Sequence, residues 1–198
     1  MHNLPLHRLL LLIFLSVINA CSISPPQNKE NICALFREQE DWYGAAFATQ
    51  QKWGVPVHVQ MAIMFQESSF VADARPPFNP AREIQSSAFG YAQAKDETWA
   101  HFLTHSHRVS AERDNFADAS DFIGWYCNLS FQKLHLSKWD ASNLYLAYHE
   151  GHGGFARQTY RQKDWLMRTA QKVAWRAANY RNQLNRCEQE FSRSGWFF

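Results

Sequence analysis

The chain is predicted to fold as a single all-α domain, and three observations carry that prediction. Apolar residues recur at helical spacing in nearly every segment, and no run alternates apolar with polar residues as a half-buried strand does. No internal repeat and no low-complexity stretch interrupts the pattern. Once a leader-like N-terminus is set aside, about 170 residues remain, enough for one domain with one core.

The elements follow in chain order. Leu9 to Ile18 is an apolar run broken only by Ser16, preceded by Arg8 and followed by Asn19-Ala20-Cys21. It is too short to span a bilayer with margin, so residues 1–20 read as a signal peptide. The small residue before Cys21 resembles a bacterial lipobox, which implies lipidation of Cys21 and, with Ser22 next, the outer membrane. Plain secretion to the periplasm is the alternative. Residues 21–30 then form a lipidated N-terminus and tether, and residues 31–190 the domain. Residues 31–53 read as one helix ended by Gly54, and Pro56 opens a helix that is apolar nearly all round from Val57 to Phe65. Pro76, Pro77 and Pro80 make 75–87 a long loop. Asp96 is expected to cap a helix bearing Trp99 and Phe102. Helices over 116–134, 141–148, 154–160 and 165–191 complete the set, with 191–198 as a tail.

Cysteine use agrees with export. Without Cys21 there remain Cys33, Cys127 and Cys187. Cys33 and Cys187 lie near the two ends of the domain, and a bridge between them would contribute roughly 4–5 kcal/mol by closing a long loop. Three free buried thiols are the alternative. Cys127, between Tyr126 and Asn128, reads as core. The net charge of +2 and the absence of a basic block argue against nucleic acid as a partner.

Three short motifs bear on chemistry. Glu67 ends the most apolar helix, where desolvation disfavours the charged carboxylate and raises its pKa, as a general acid requires. A solvated helix edge is the bland reading of the same residue. Gly90-Tyr91-Ala92-Gln93 lets the backbone approach a ligand and offers an amide suited to sugar hydroxyls or an N-acetyl group. Tyr148 precedes a glycine-rich turn from Gly151 to Gly154, from which its hydroxyl would project into a cleft.

In this order and spacing, Glu67-Ser68, Gly90 to Gln93 and Ala147 to Gly151 resemble the soluble lytic transglycosylase family, whose domain is related to goose-type lysozyme. The resemblance covers about residues 31 to 190. It implies a lysozyme-like all-α fold, peptidoglycan glycan strands as substrate, no cofactor and no metal. It makes Glu67 the acid/base, Ser68 its support, Gln93 a substrate-binding amide and Tyr148 a contact to the reacting sugar. Tyr91, His149 and Glu150 fall within the motifs and join the substrate-binding candidates. The family usually has Asn where this chain has His149, and bulky apolar residues where it has Tyr91-Ala92. A monomer held to the membrane by its N-terminal lipid is expected.

The chemistry implied is cleavage of the MurNAc-β-1,4-GlcNAc bond with formation of a 1,6-anhydroMurNAc end. A lysozyme-type hydrolase is the runner-up and needs a second carboxylate, for which Asp96 and Glu150 are the candidates. Asp96 has a competing role as a cap, and Glu150 as partner to a basic residue. His149 and His152 are three apart rather than four and run into glycine, which is wrong for a zinc helix. His101, His105 and His107 read as surface histidines. A cysteine peptidase using Cys127 and His149, and a glycan-binding envelope lipoprotein that does not cut, are the remaining alternatives.

Overall fold

The computed structural model describes residues 24–81, 83 and 85–192. The signal-peptide and Cys21 expectations, and the end of the predicted tail, lie outside those residues. Among them the protein is all-α, with seven α-helices: α1 (Ile32–Glu38), α2 (Glu40–Trp53), α3 (Val57–Ser68), α4 (Asp96–Ser106), α5 (Phe116–Leu134), α6 (Ala141–Ala156) and α7 (Asp164–Ser192). A 3-10 turn, Thr159–Gln162, links α6 to α7. An isolated bridge between Phe89 and Ala94 is the only extended pairing among the described residues. None of the described helices is long and apolar enough to cross a membrane.

Helix α3 is the axis of the core. Val57, Val59, Met61, Ala62, Ile63 and Met64 are all buried, and α2, α5, α6 and α7 pack around them. One polar residue on this helix is fully buried and fully used. Gln60 donates from Nε2 to the carbonyls of Ala46 (3.1 Å) and Val55 (2.7 Å) and accepts from Ser120 Oγ (2.8 Å). Satisfied in this way, the amide fixes the register of α3 against α2 and α5 without the cost of an unpaired polar group. Cys33 and Cys187 are joined in a disulfide that ties α1 to α7, and Arg37 pairs with Glu190 at 2.7 Å beside it.

Side-chain contacts give the helix directions. His58 at the start of α3 lies 5.4 Å from Trp139, just before α6, while Glu67 at its end meets Tyr145 of α6. The two helices therefore run parallel. Helix α7 returns antiparallel to both, with Trp165 against His149, Arg176 over the Phe65 ring and Arg181 beside Trp139.

The structure corrects three boundaries. The expected single helix over 31–53 breaks at Gln39 (φ −122°, ψ 77°), and the bend brings Phe36 and Tyr43 edge to face at 5.5 Å. The expected helix over 154–160 does not form as a unit. Helix α6 instead continues to Ala156 through a kink at Gly151, whose φ of 73° and ψ of 158° are open to glycine and strained for other residues. Asp96 is not a cap: the cap position is Lys95, no side chain fills it, and the Asp96 carboxylate pairs with Arg113 at 2.8 Å.

Candidate active site

Glu67, Gln93 and Tyr148 line one cleft of about 470 Å³, together with Pro76, Ser86, Lys95, Thr98, Phe122, Tyr126, His149 and Glu150. Four separated stretches meet there: the end of α3, the loop before α4 with the first turn of that helix, Phe122 and Tyr126 of α5, and the second half of α6.

The loop from Ala88 to Lys95 is held on both sides. Gly90 N donates to Ala74 O at 3.0 Å, and Tyr91 N to Arg113 O at 3.1 Å. A Cβ on Gly90 would lie 2.1 Å from the Arg113 carbonyl oxygen, and φ there is 79°. Only glycine lets these backbones come so close. Gln93 itself sits at φ 48° and donates from Nε2 to the carbonyls of Ala74 (2.8 Å) and Gly90 (2.9 Å). Its amide nitrogen is thus spent on the loop, which leaves Oε1 as the group it can offer a ligand.

Glu67 occupies the last turn of α3 and, among the described residues, has no ion-pair partner. Burial raises its carboxyl from 4.5 to about 7, against an opposing hydrogen bond from the Tyr145 hydroxyl. The carbonyl ends of α3 also disfavour an anion at this position. The result is a carboxyl that keeps its proton near neutrality and has a phenol to orient it. Tyr148 donates from its hydroxyl to Ala92 O at 2.7 Å, joining α6 to the Gly90 loop across the cleft. Burial and the nearby Glu67 hold that hydroxyl protonated.

Glu150 is built differently. Lys163 Nζ (2.7 Å) and His149 Nδ1 (3.2 Å) approach Oε1, and the Thr159 hydroxyl donates to Oε2. Burial acts to raise this carboxyl, but hydrogen bonds from Lys163, Thr159 and His149 outweigh it and bring it down to about 2. It is a fixed anion with both oxygens engaged, which suits a structural ion pair.

Two candidates face elsewhere. Ser68 is buried and absent from the cleft wall; its hydroxyl donates to Met64 O (3.3 Å) and accepts from Phe70 N (3.1 Å), closing the turn after α3. Tyr91 is fully buried against Trp42 and Phe116 on the opposite side of its loop, and its hydroxyl has no partner among the described residues. Tyr91 is drawn to the aromatic core and Ser68 to the carbonyl of Met64, so membership of a motif does not put every side chain in the cleft. His149 is exposed at the rim, edge-on to Trp165 at 5.2 Å.

Tyr145 is the residue that sequence reasoning missed. It lies one helical turn before Tyr148, and that spacing alone places both on one face of α6. Phe122 and Tyr126 of α5, four apart, supply the cleft's aromatic floor by the same rule.

The competing chemistries lack their geometry. His152 stacks on Tyr126 (4.5 Å, 16°) and bonds to Ser130 Oγ at 3.0 Å, and among the described residues no three His, Cys, Asp or Glu are placed to hold a metal. His101 and His105 pack on Trp125 at 5.3 and 6.3 Å. Cys127 is buried, and burial pushes its thiol up to about 12, the reverse of what a nucleophilic cysteine needs.

A family model described as "Transglycosylase SLT domain" matches residues 9–187. No curated protein and no solved structure matches the chain.

Proposed function

We propose, because this chain belongs to the transglycosylase SLT domain family, that it is a peptidoglycan lytic transglycosylase with Glu67 as its single acid/base. The observation that carries the reading is one unpaired carboxyl, raised to about 7, in a cleft whose other carboxylate is immobilised. In the first step Glu67 gives its proton to the GlcNAc oxygen leaving the MurNAc anomeric carbon. The N-acetyl carbonyl of that MurNAc closes on the same carbon as the bond breaks. Glu67, now ionised, takes the proton of the C6 hydroxyl, whose oxygen attacks the anomeric carbon and expels the acetamido oxygen. The product carries a 1,6-anhydro end, water is not consumed, and Glu67 regains its proton.

The supporting residues divide the remaining tasks. Tyr145 orients the Glu67 carboxyl, and Tyr148 sets the width of the cleft through Ala92. Gln93 Oε1 accepts from a substrate N–H or hydroxyl, with its amide nitrogen already committed. Ser68 and Tyr91 shape the turn and the loop from behind. His149 and Glu150 form the rim, with Glu150 anchoring it to Lys163. A lysozyme-type hydrolase would need a second carboxylate to place water; Glu150 has no free oxygen and Asp96 is tied to Arg113. The cell envelope is the proposed location, by lipidation of Cys21 at the outer membrane or as a free periplasmic protein.

Mass analysis of fragments released from purified murein tests the reading. Anhydro ends are expected from the wild type and no release from Glu67→Gln. Reducing ends would identify a hydrolase, and equal release by the variant would remove Glu67 from the mechanism.

A further inference from the structure

A second pocket, of about 420 Å³, opens at the other end of the α3–α6 pair, where His58, Trp139 and α7 meet. His58 and Glu67 are nine residues apart on one helix, roughly 13 Å along its axis, so this pocket is separate from the catalytic cleft. Its components are unlike those of a packing defect. Trp139 leaves 59% of its surface exposed, and Arg181 lies 5.3 Å from the centre of its ring. Arg181 has no ion-pair partner among the described residues. Asp140, the one carboxylate in the lining, has its oxygens taken by Asn143 N (3.0 Å) and Asn143 Nδ2 (2.7 Å). Asp140 keeps its charge, but both of its oxygens are turned to Asn143, so the donors of the Arg181 guanidinium stay free for a ligand. Asn182 and Asn185 are exposed on the α7 side, and alanines of α7 keep the floor low. His58 is 8% exposed, lines the pocket and has no hydrogen-bond partner among the described residues.

Each group answers one part of a single ligand. An exposed indole stacks on the apolar face of a pyranose ring. Carboxamides satisfy hydroxyls or an N-acetyl group. An unpaired guanidinium takes a carboxylate bidentately. Burial and Arg181 push His58 down to about 4, so it enters as a neutral imidazole able to donate or accept once. We propose that this pocket is a holding site for a carboxylate-bearing aminosugar chain, away from the bond that is cut. The occupant is a stretch of peptide-free glycan, whose lactyl groups end in free carboxylates rather than amides, with Trp139 as platform and Arg181 as charge partner. The proposal deepens the peptidoglycan reading and rests on it.

The probe is a soluble GlcNAc-MurNAc tetrasaccharide, titrated into the Glu67→Gln protein so that nothing is consumed. The NMR signals followed are the Trp139 indole N–H and the Asn182 and Asn185 side-chain amides. These signals are expected to shift saturably, and Arg181→Ala to weaken that saturation by about tenfold, the loss of one charge-assisted hydrogen bond. The same length of chitin oligosaccharide, which lacks carboxylates, is expected to bind the pocket equally weakly with or without Arg181. Trp139→Ala, at an exposed position, is expected to keep its melting temperature and lose the response of the two amides. Unmoved signals, or a chitin oligomer that binds as well as the muramyl one, overturn the proposal. Murein digestion is scored separately. Loss of release in Glu67→Gln with no response at Trp139 defeats the holding site alone, whereas undiminished release by Glu67→Gln defeats the catalytic reading and leaves the titration to stand or fall on its own.

Discussion

Replacing Glu67 with glutamine should stabilise this protein in alkaline solution while abolishing its activity. In the folded state the carboxyl is raised from 4.5 to about 7 by burial, so between those values the native protein holds a proton that the unfolded chain releases. Stability is fully present below about pH 4.5 and is lost as pH rises through 7, because the buried group must then ionise. At about 1.4 kcal/mol per tenfold in proton affinity, the cost above pH 8 is at most about 3.5 kcal/mol. Glutamine occupies the same volume, keeps an acceptor for Tyr145 and never ionises. Thermal melts of both proteins at about pH 4 and about pH 8.5 isolate this cost, since every other titrating group cancels in the comparison. Near pH 4 the two should melt together; near pH 8.5 the variant should melt roughly 6–12 °C higher, as expected for a domain of this size. A constant offset at both pH values, or a wild type that gains on the variant in base, would refute the buried-acid argument.

Tyr145→Phe removes the hydrogen bond that lowers Glu67, so the alkaline limb of the kcat/KM profile should move to higher pH by up to about one unit. In the wild type that limb is expected at about 7, where burial holds the Glu67 carboxyl. Lys163→Met leaves Glu150 buried without its cation. Chemical denaturation at neutral pH should show a loss of about 1–2 kcal/mol, discounted because the lysine is half exposed. Glu150 is held at about 2, so its contribution is present above its ordinary 4.5 and fades below it. The deficit of the variant should therefore shrink as pH falls from about 4.5 through about 2. Gly90→Ala drives a methyl into the Arg113 carbonyl at a left-handed backbone position. It should cost more than about 2 kcal/mol, and murein release should fall even where the protein remains folded.

Much of the scaffold could be read directly from the residues. Helix α5 matches its predicted span, because Asn115 caps it and an uninterrupted apolar face fills it. Helix α7 comes within a residue at each end, carried by a continuous apolar stripe from Leu166 to Cys187. The break at Gln39 left no trace, since Arg37, Glu38, Gln39 and Glu40 are all comfortable in a helix and tertiary packing of Phe36 against Tyr43 decides the bend. Gly151 was visible as a glycine, but not whether it would end the helix or bend it.

Within the cleft, Glu67 was legible from the greasiness of its helix. Gln93 was legible as a residue, not as a group whose nitrogen is consumed by two carbonyls. That division depends on contacts 19 residues away in sequence. That Tyr91 turns into the core and Ser68 into the turn after α3 was not legible, because adjacency along the chain says nothing about which way a side chain turns. Tyr145 was hidden behind the more conspicuous Tyr148, although a helical wheel puts them on one face.

The Cys33–Cys187 bridge brings the first and last helices together, with Cα atoms 6.1 Å apart. The helical unit between those two cysteines thus enters and leaves at a single doorway. It can accordingly be spliced into a surface loop of a host protein without prying the host apart. Conversely, a linker joining a chain cut just before Cys33 to one cut just after Cys187 need bridge only a small gap, so new termini can be opened at the 75–87 loop while the helical order is kept.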